Sequence, residues 1–372
     1  MAHICRAMVA LCCGGAAQVA LAQAPASVLA PATRAPMIDV HSHFQADRTR
    51  HFPSALRTAL AKMDELGIAR TVLMPPPLVS RGGNYYDIEE LRFAADQHPD
   101  RVAIMGGSSL NVMIHDTDPK DVNDAVKARF RARVDEIVAQ GAVGFGELGV
   151  HHVSIPAMGA NHAYESVPAD HPLFLLLADL AAERGLPIDL HLDLVPEAMP
   201  LPEVLRPNRL NPDTLAENAE AFKRLLSHNP KARFVWSHVG FEPLLTRHPQ
   251  RVRQWLKAYP NLYMSFRVNK GGPNPAAAMT AEGQLKQPWL DLIREFPDRL
   301  MIGSDAFYDQ GGIARGSGDP GQDQGVRWLR SLVDALPAPL AEAVASRNAM
   351  RLYKLADSPA VPARATPPAP VN

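Results

Sequence analysis

Cysteine is scarce in this chain of 372 residues. Its three cysteines, Cys5, Cys12 and Cys13, all lie close to the start. The rest of the sequence therefore has no disulfide and no thiolate ligand, and any metal must be held by nitrogen and oxygen. Aromatic residues make up only 6% of the sequence, and the formal net charge is −1. Without a basic cluster or a row of aromatic side chains, the composition argues against binding to nucleic acid.

The two ends of the sequence differ in composition from its middle. Residues 1–22 combine a basic residue with a short apolar run and the cleavage pattern Ala20-Leu-Ala22, which indicates a secretory signal peptide. We therefore expect a secreted, periplasmic protein that is cut after Ala22 or Ala24. Residues 23–35 form a flexible Pro/Ala-rich lead, and residues 357–372 form a Pro/Ala-rich tail that we expect to be disordered. No later segment is apolar enough to predict stable membrane insertion after cleavage.

Residues 36–356 alternate between strand-like and helix-like segments. The predicted strands are Met37–Val40, Thr71–Met74, Val102–Met105, Ala142–Val150, Pro187–Leu194, Phe234–Gly240, Leu262–Val268 and Leu300–Phe307. The predicted helices are Ser54–Leu66, Asp87–Gln97, Asp121–Gln140, Leu173–Arg184, Thr214–Ser227, Glu242–Tyr259, Gln284–Phe296, Gln322–Leu336 and Pro339–Leu355. Eight such repeats predict a single α/β domain and favour a closed (β/α)8 TIM barrel over an open doubly wound sheet.

Two histidines close the first strand with a spacing that suits a metal. Residues i and i+2 of a strand point to the same face, so the imidazoles of His41 and His43 are expected to converge on one point. Asp39 is expected on the same face as their hydrogen-bond partner. A pair of histidines at a strand end can also be packed without a ligand, so this motif alone is a weak signal.

Acids and histidines recur at the ends of other predicted strands. Glu147 lies near the end of the fourth, His191 of the fifth, His238 of the sixth and Asp305 of the eighth. Each has an alternative explanation by itself; Asp305, for example, could be a helix cap. Because the carboxyl ends of all barrel strands meet at one rim, the recurrence predicts a shared metal site there.

With these residues the chain resembles the amidohydrolase superfamily, in its branch of amidohydrolase-related metal-dependent hydrolases. The resemblance runs from Asp39-Val-His-Ser-His43 to Arg347-Asn-Ala-Met-Arg-Leu-Tyr353, and every slot of the family's ligand pattern is filled. It implies two sets of metal ligands that share one bridging acid. One cation would be held by His41, His43 and Asp305, a second by His191 and His238, and Glu147 would bridge the two.

The resemblance also implies a reaction. Asp305 would carry the proton, with His238 beside it as the other catalytic residue, and Zn is the first choice of divalent metal, with two per chain favoured. We expect a metal-activated hydroxide to cleave a small amide, ester or lactone. The alternative is a metal-dependent non-oxidative decarboxylase, whose relatives generally use one metal and no bridging acid, so Glu147 favours hydrolysis. A metal-storage or binding protein is a third interpretation, against which the complete ligand set argues.

The expected partner is a small-molecule substrate, and the sequence also allows a homo-oligomer. The candidates for substrate contact are Asp193, Arg267, His151, His152, His162, Tyr85 and Tyr86. In the decarboxylase interpretation Arg267 would bind the substrate carboxylate, although a guanidinium in a structural salt bridge is the more common arrangement.

Overall fold

The computed structural model describes residues 35–45, 51–79, 85–156, 162–268, 274–313 and 322–356. The predicted signal peptide, most of the Pro/Ala-rich lead and the whole predicted tail lie outside these residues, and those assignments stay predictions. Within the described residues, two short strands, Glu165–Ser166 and Ala306–Tyr308, belong to the central sheet, and its eight main strands form the barrel. These eight are β1 (Met37–Phe44), β2 (Ile68–Leu73), β3 (Val102–Ile104), β4 (Phe145–His152), β5 (Pro187–Leu192), β6 (Arg233–Val239), β7 (Leu262–Phe266) and β8 (Leu300–Ile302).

These strands are parallel and close into a barrel. Hydrogen bonding orders them β3-β2-β1-β8-β7-β6-β5-β4. The two ends of that order also meet, because Gly106 pairs with Phe145 in a parallel bridge. In addition, Val143 N donates to Ile104 O at 2.9 Å and Gly146 N donates to Gly106 O at 3.1 Å. The predicted (β/α)8 TIM barrel is therefore confirmed.

Helices surround the barrel between its strands. Within the described residues they are α1 (Phe52–Leu66), α2 (Ile88–Gln97), α3 (Ser108–His115), α4 (Asp124–Ala139), α5 (Pro172–Arg184), α6 (Ala219–His228), α7 (Pro249–Ala258), α8 (Gln287–Glu295), α9 (Gln322–Asp334), α10 (Ala338–Glu342) and α11 (Asn348–Tyr353). A single π-helical turn, Ala343–Arg347, joins α10 to α11 where one continuous helix was predicted. No described helix is both long and apolar enough to cross a membrane.

Four helices, α4, α6, α7 and α8, start three or more residues later than predicted, and for the first three the local reason is visible. The first, α4, starts at Asp124 because the Asn123 side chain accepts from Val126 N at 3.0 Å and caps it. Before α6, Thr214–Leu215 pairs with Met199–Pro200 as a short antiparallel ribbon. Before α7, a loop stays irregular and His248 caps the helix, with Pro249 as its first residue.

Two apolar layers hold the barrel together. The larger fills the space between strands and helices and includes Phe234 and Trp236 of β6. The smaller contains Val235 of the same strand, with Ile38, Met301 and Tyr353 of α11. Because neighbouring residues of a strand face opposite sides, the smaller layer lies inside the barrel, beneath the ends of the strands.

Candidate metal centre

Four side chains from four different strand ends meet at one rim of the barrel. His41, Glu147, His238 and Asp305 each offer a ligand atom, and all four atoms lie within 4.8 Å of one another. His41, Glu147 and His238 are buried. The side chain of Asp305 is 11% exposed and marks the side that solvent reaches.

The other two predicted ligands adjoin this group. His43 Nε2 lies 3.3 Å from Asp305 Oδ1 and 3.5 Å from Glu147 Oε2. His191 Nδ1 lies 2.7 Å from Glu147 Oε1, and His238 Nε2 lies 3.0 Å from the same oxygen. With His41 Nε2 at 3.3 Å from Glu147 Oε2, all four imidazoles surround this one carboxylate. The structure thus brings all six predicted residues together, and their division between two cations stays a prediction.

The buried imidazoles have the free nitrogens that a cation would need. His43 Nδ1 contacts Met74 O at 2.9 Å, and since a carbonyl only accepts, this nitrogen donates, which leaves Nε2 as the atom of the neutral ring that could bind a cation. Within the described residues, His41 Nε2, His43 Nε2 and His238 Nδ1 are buried without a hydrogen-bond partner. Unpaired buried polar atoms are costly, and a metal bound here would satisfy them. The donor set therefore fits a divalent cation.

Asp189 of β5 is a partner of this centre that the sequence analysis missed. Its Oδ1 lies 3.3 Å from His41 Nδ1 and accepts from Ser237 Oγ at 2.6 Å. A carboxylate behind a metal-binding histidine holds the ring and makes it more basic. The signal was available, because Asp189 precedes His191 by two residues and shares its face.

Asp39 differs from its predicted role. It accepts a backbone hydrogen bond from Ser304 N at 2.8 Å and another from His41 N at 3.2 Å. The pairing of β1 with β2 shifts register between Asp39 and Ser42, so the simple alternation of faces does not extend from Asp39 to the histidines. Asp39 therefore holds the chain at the end of β8 against β1, next to Asp305, whose N donates to His41 O at 2.9 Å.

Two of the candidate ligands have an unusual backbone. His238 has φ of 65° and Asp305 has φ of 55°, in the left-handed region that side chains with a Cβ seldom adopt. Such conformations cluster at functional sites, where the surrounding structure maintains them. Here they turn the side chains at the points where the two strands end.

The two acids of the centre are ionised. Burial opposes a charge on Asp305, but the Arg267 guanidinium, whose Nη1 lies 2.9 Å from Oδ2, holds its pKa well below the usual range. Burial also opposes a charge on Glu147, yet His41 and the other imidazoles bring its pKa far below normal. Burial lowers the pKa of His238 to about 4. The site therefore offers two carboxylates and a neutral imidazole to a cation.

Some of the predicted substrate residues have structural partners instead. Asp193 Oδ2 accepts from Val153 N at 2.9 Å, and His151 Nδ1 contacts Asp193 O at 2.7 Å. Tyr86 is buried, and its hydroxyl donates to Phe44 O at 2.8 Å, which removes it from the mouth of the barrel.

Two further histidines, His152 and His162, lie in a row next to His191. The rings of His191 and His152 are 4.6 Å apart between centroids, and those of His152 and His162 are also 4.6 Å apart. Both outer rings are only half-buried. The guanidinium of Arg267 lies over the ring of Phe241, with 4.2 Å from Cζ to the ring centroid, and is paired with Asp305. His152, His162 and Arg267 stay candidates for substrate contact, as does Tyr85.

A (β/α)8 barrel whose strand ends gather imidazoles and carboxylates around one point defines the class of metal-dependent hydrolases. The protein is an enzyme of this type. The chain belongs to the amidohydrolase family, because that family's model, described as amidohydrolase, matches residues 38–355. The predicted membership is confirmed.

Several solved structures are similar to the chain. One is a 4-oxalomesaconate hydratase from Rhodopseudomonas palustris, with 14% identity, 86% of this chain and 95% of that chain covered, and a TM-score of 0.49. A dihydroorotase from Campylobacter jejuni shares 14% identity, over 87% and 84% of the two chains, with a TM-score of 0.46. A 2,6-dihydroxybenzoate decarboxylase shares 17% identity, over 87% and 100%, with a TM-score of 0.46. No curated protein matches the sequence.

Proposed function

We propose that the protein hydrolyses a small amide, ester or lactone with a water activated by bound divalent metal. The observation that supports this most strongly is the position of Glu147. One of its oxygens faces His191 and His238, and the other faces His41 and His43, at 2.7 to 3.5 Å. A carboxylate that presents its two oxygens to two separate sets of histidines suits a bridge between cations better than a single-metal site.

We assign the metal to the six residues described above. With only nitrogen and oxygen donors, Zn is the first choice, and two ions per chain agree best with the bridging acid. When bound, the metal supplies Lewis acidity, which polarises the scissile carbonyl group and lowers the pKa of water. Glu147 and Asp305 contribute the negative charge that such a site needs.

Asp305 is our candidate for the proton carrier. Its Oδ1 faces His43 Nε2 at 3.3 Å, while Oδ2 is held by Arg267 at 2.9 Å. A carboxylate at the open side of the site can take a proton from the attacking water and deliver it to the leaving group. His238, which belongs to the same group of ligand atoms as Asp305, is the second residue that we assign to catalysis.

Elemental analysis followed by a substrate screen tests the proposal. We expect purified protein to contain close to two equivalents of Zn or a similar metal, and to hydrolyse at least one member of a panel of lactones, esters and N-acyl compounds. The same assays should record carbon dioxide release from small carboxylic acids. One equivalent of metal together with carbon dioxide release would replace hydrolysis by decarboxylation, and a protein without metal would contradict both.

The predicted signal peptide adds a proposal about location. If the pattern in residues 1–22 is used, the protein is exported, and metal is acquired outside the cytoplasm. Mass spectrometry of the N-terminus after expression in a bacterial host tests this: a mature chain that starts at Gln23 or Pro25 supports export, and an intact chain contradicts it.

A further inference from the structure

A buried guanidinium lies beside the metal centre but outside its ligand set. Arg247 follows β6 in the irregular loop before α7, and its side chain is 2% exposed. Its Nε donates to Glu242 Oε2 in an ion pair whose acid is fully buried. Its Cζ lies 5.4 Å from the ring of Trp236, so an aromatic face and an acid enclose it. A charge so far from water requires several partners to be tolerated.

Two of those partners are backbone carbonyls on either side of His238. Arg247 Nη1 donates to Ser237 O at 2.7 Å, and Nη2 donates to Phe241 O at 3.1 Å. Phe241 N in turn donates to His238 O at 3.1 Å, which closes the turn. His238 has φ of 65°, a conformation that its surroundings must maintain. One side chain therefore holds the chain just before and just after the strained ligand.

The same guanidinium extends to the other histidine of this half of the centre. Its Nη2 lies 3.8 Å from Asp193 Oδ1, and Asp193 Oδ2 lies 3.8 Å from His191 Nε2. Asp193 is itself fixed, because Oδ2 also accepts from Val153 N at 2.9 Å. Arg247 is thus linked to His238 through the backbone and to His191 through a carboxylate, without touching either ring.

The geometry points to a positioning role, and we propose that Arg247 sets the orientation of His191 and His238 and so the metal affinity of their half of the centre. The planar guanidinium can serve two carbonyls and two carboxylates at once, which an ammonium group cannot do. This inference rests on the proposed function, since it assumes that the two histidines bind metal.

The test compares Arg247→Met and Arg247→Lys with Arg70→Met as a matched control. Arg70 is also buried and donates to three backbone carbonyls, Asp100 O, Ala356 O and Pro99 O, at 2.9 to 3.1 Å, but at the opposite end of the barrel. Each variant is stripped with chelator and reloaded with Co²⁺. The measurements are the cobalt absorption spectrum, the Zn²⁺ affinity by chelator competition, and the thermal midpoint.

We expect Arg247→Met to weaken Zn²⁺ binding about 10- to 100-fold, the usual range when the support of a metal ligand is removed, and to alter the cobalt spectrum. Arg247→Lys should recover part of the affinity, because it keeps the charge but cannot bond to both carbonyls. Arg70→Met should lower the thermal midpoint and leave both metal readouts unchanged.

Two results would overturn the inference. One is a wild-type spectrum and affinity in Arg247→Lys, or in Arg247→Met if that variant folds. The other is an equal loss of affinity in Arg70→Met, which would show that general destabilisation is enough. A wild-type protein that binds no cation would instead contradict the proposed function, so the two failures are distinguishable.

Discussion

The two ends of the barrel use their basic side chains in different ways. At the end where the strands begin, arginines satisfy backbone carbonyls: Arg101 Nε donates to Ala69 O at 2.7 Å and Arg299 Nη1 donates to Leu262 O at 2.8 Å. At the end where the strands finish, buried imidazole nitrogens of His41 and His43 have no hydrogen-bond partner among the described residues. Where the strands begin, these arginine donors are paired with carbonyl groups of the chain, and where the strands finish, these imidazole nitrogens stay available to a ligand.

The two ends of the barrel therefore have different roles, one in the stability of the fold and the other in the chemistry of the site. Donors on long side chains stabilise the connections into each strand, and their loss should cost folding free energy. The unpaired nitrogens and the left-handed backbone conformations of His238 and Asp305 lower stability locally. A ligand bound at the site would offset that loss of stability. Substitutions where the strands begin should therefore change the free energy of unfolding. Substitutions where the strands finish should change turnover or metal affinity.

The largest expected effect is at the open side of the centre. Asp305→Asn should keep the fold and lower kcat by roughly 10³-fold or more, because an amide cannot accept and return a proton. Steady-state kinetics and circular dichroism measure the two effects. Asp309→Asn is the control, since that acid lies four residues further along and accepts a local hydrogen bond from Gly311 N at 2.7 Å. Unchanged turnover in Asp305→Asn would remove Asp305 from the mechanism.

At the other end of the barrel, Arg70→Met should affect only stability. Removal of its donors breaks three hydrogen bonds to carbonyls of residues that are exposed to solvent, and we expect a loss of roughly 1–2 kcal/mol in the free energy of unfolding. Urea denaturation measures this loss, and the kcat of the metal-loaded enzyme should stay within twofold of wild type. A large fall in kcat would contradict the separation of the two ends.

The support behind His41 gives a smaller effect on metal. Asp189→Asn keeps the shape of the side chain but removes its charge from behind the imidazole, which should weaken metal binding about 10- to 100-fold. Chelator competition measures the affinity. Asp179→Asn provides a matched control, because Asp179 contacts His228 Nε2 at 3.1 Å on the outside of the protein. Equal affinities in the two variants would argue against the role of Asp189.

The smallest expected effect concerns a helix cap that does not contact the centre. Asn123 caps α4, which follows β3, and Asn123→Ala should cost about 1 kcal/mol of unfolding free energy without changing metal content or turnover. Asn123→Asp, which can still cap the helix, should cost less. Urea denaturation of both variants measures this difference. A loss of metal in Asn123→Ala would show that the helix, and not only the residues that contact the centre, controls the site.

The sequence predicted those parts of the protein that depend on local pattern. Hydrophobic runs predict the eight strands, and barrel geometry then predicts that Glu147, His191, His238 and Asp305 lie at one rim. The barrel and the family are confirmed. Helix starts were less accurate, because a single residue such as Asn123 can move a boundary, and periodicity does not reveal which side chain will cap.

The remaining features depend on contacts between distant segments. Asp189 contacts His41 across the barrel, and Arg247 is paired with Glu242 in a loop that was predicted as helix. Likewise the register shift in β1, which moves Asp39 away from the histidines, is set by pairing with β2. Periodicity along one segment carries no information about its partner, so these arrangements could not be derived from it.

The bond between Asp39 and Ser304 joins the beginning of the barrel to its end, since it links β1 to the segment just after β8. Ser304 directly precedes Asp305, so the same bond keeps a candidate ligand next to β1. Asp305 is the last of the six candidate ligands along the chain, and a growing polypeptide lacks one of its two acids until the eighth strand has been made. Synthesis of that strand therefore completes the circle of strands and the candidate site together.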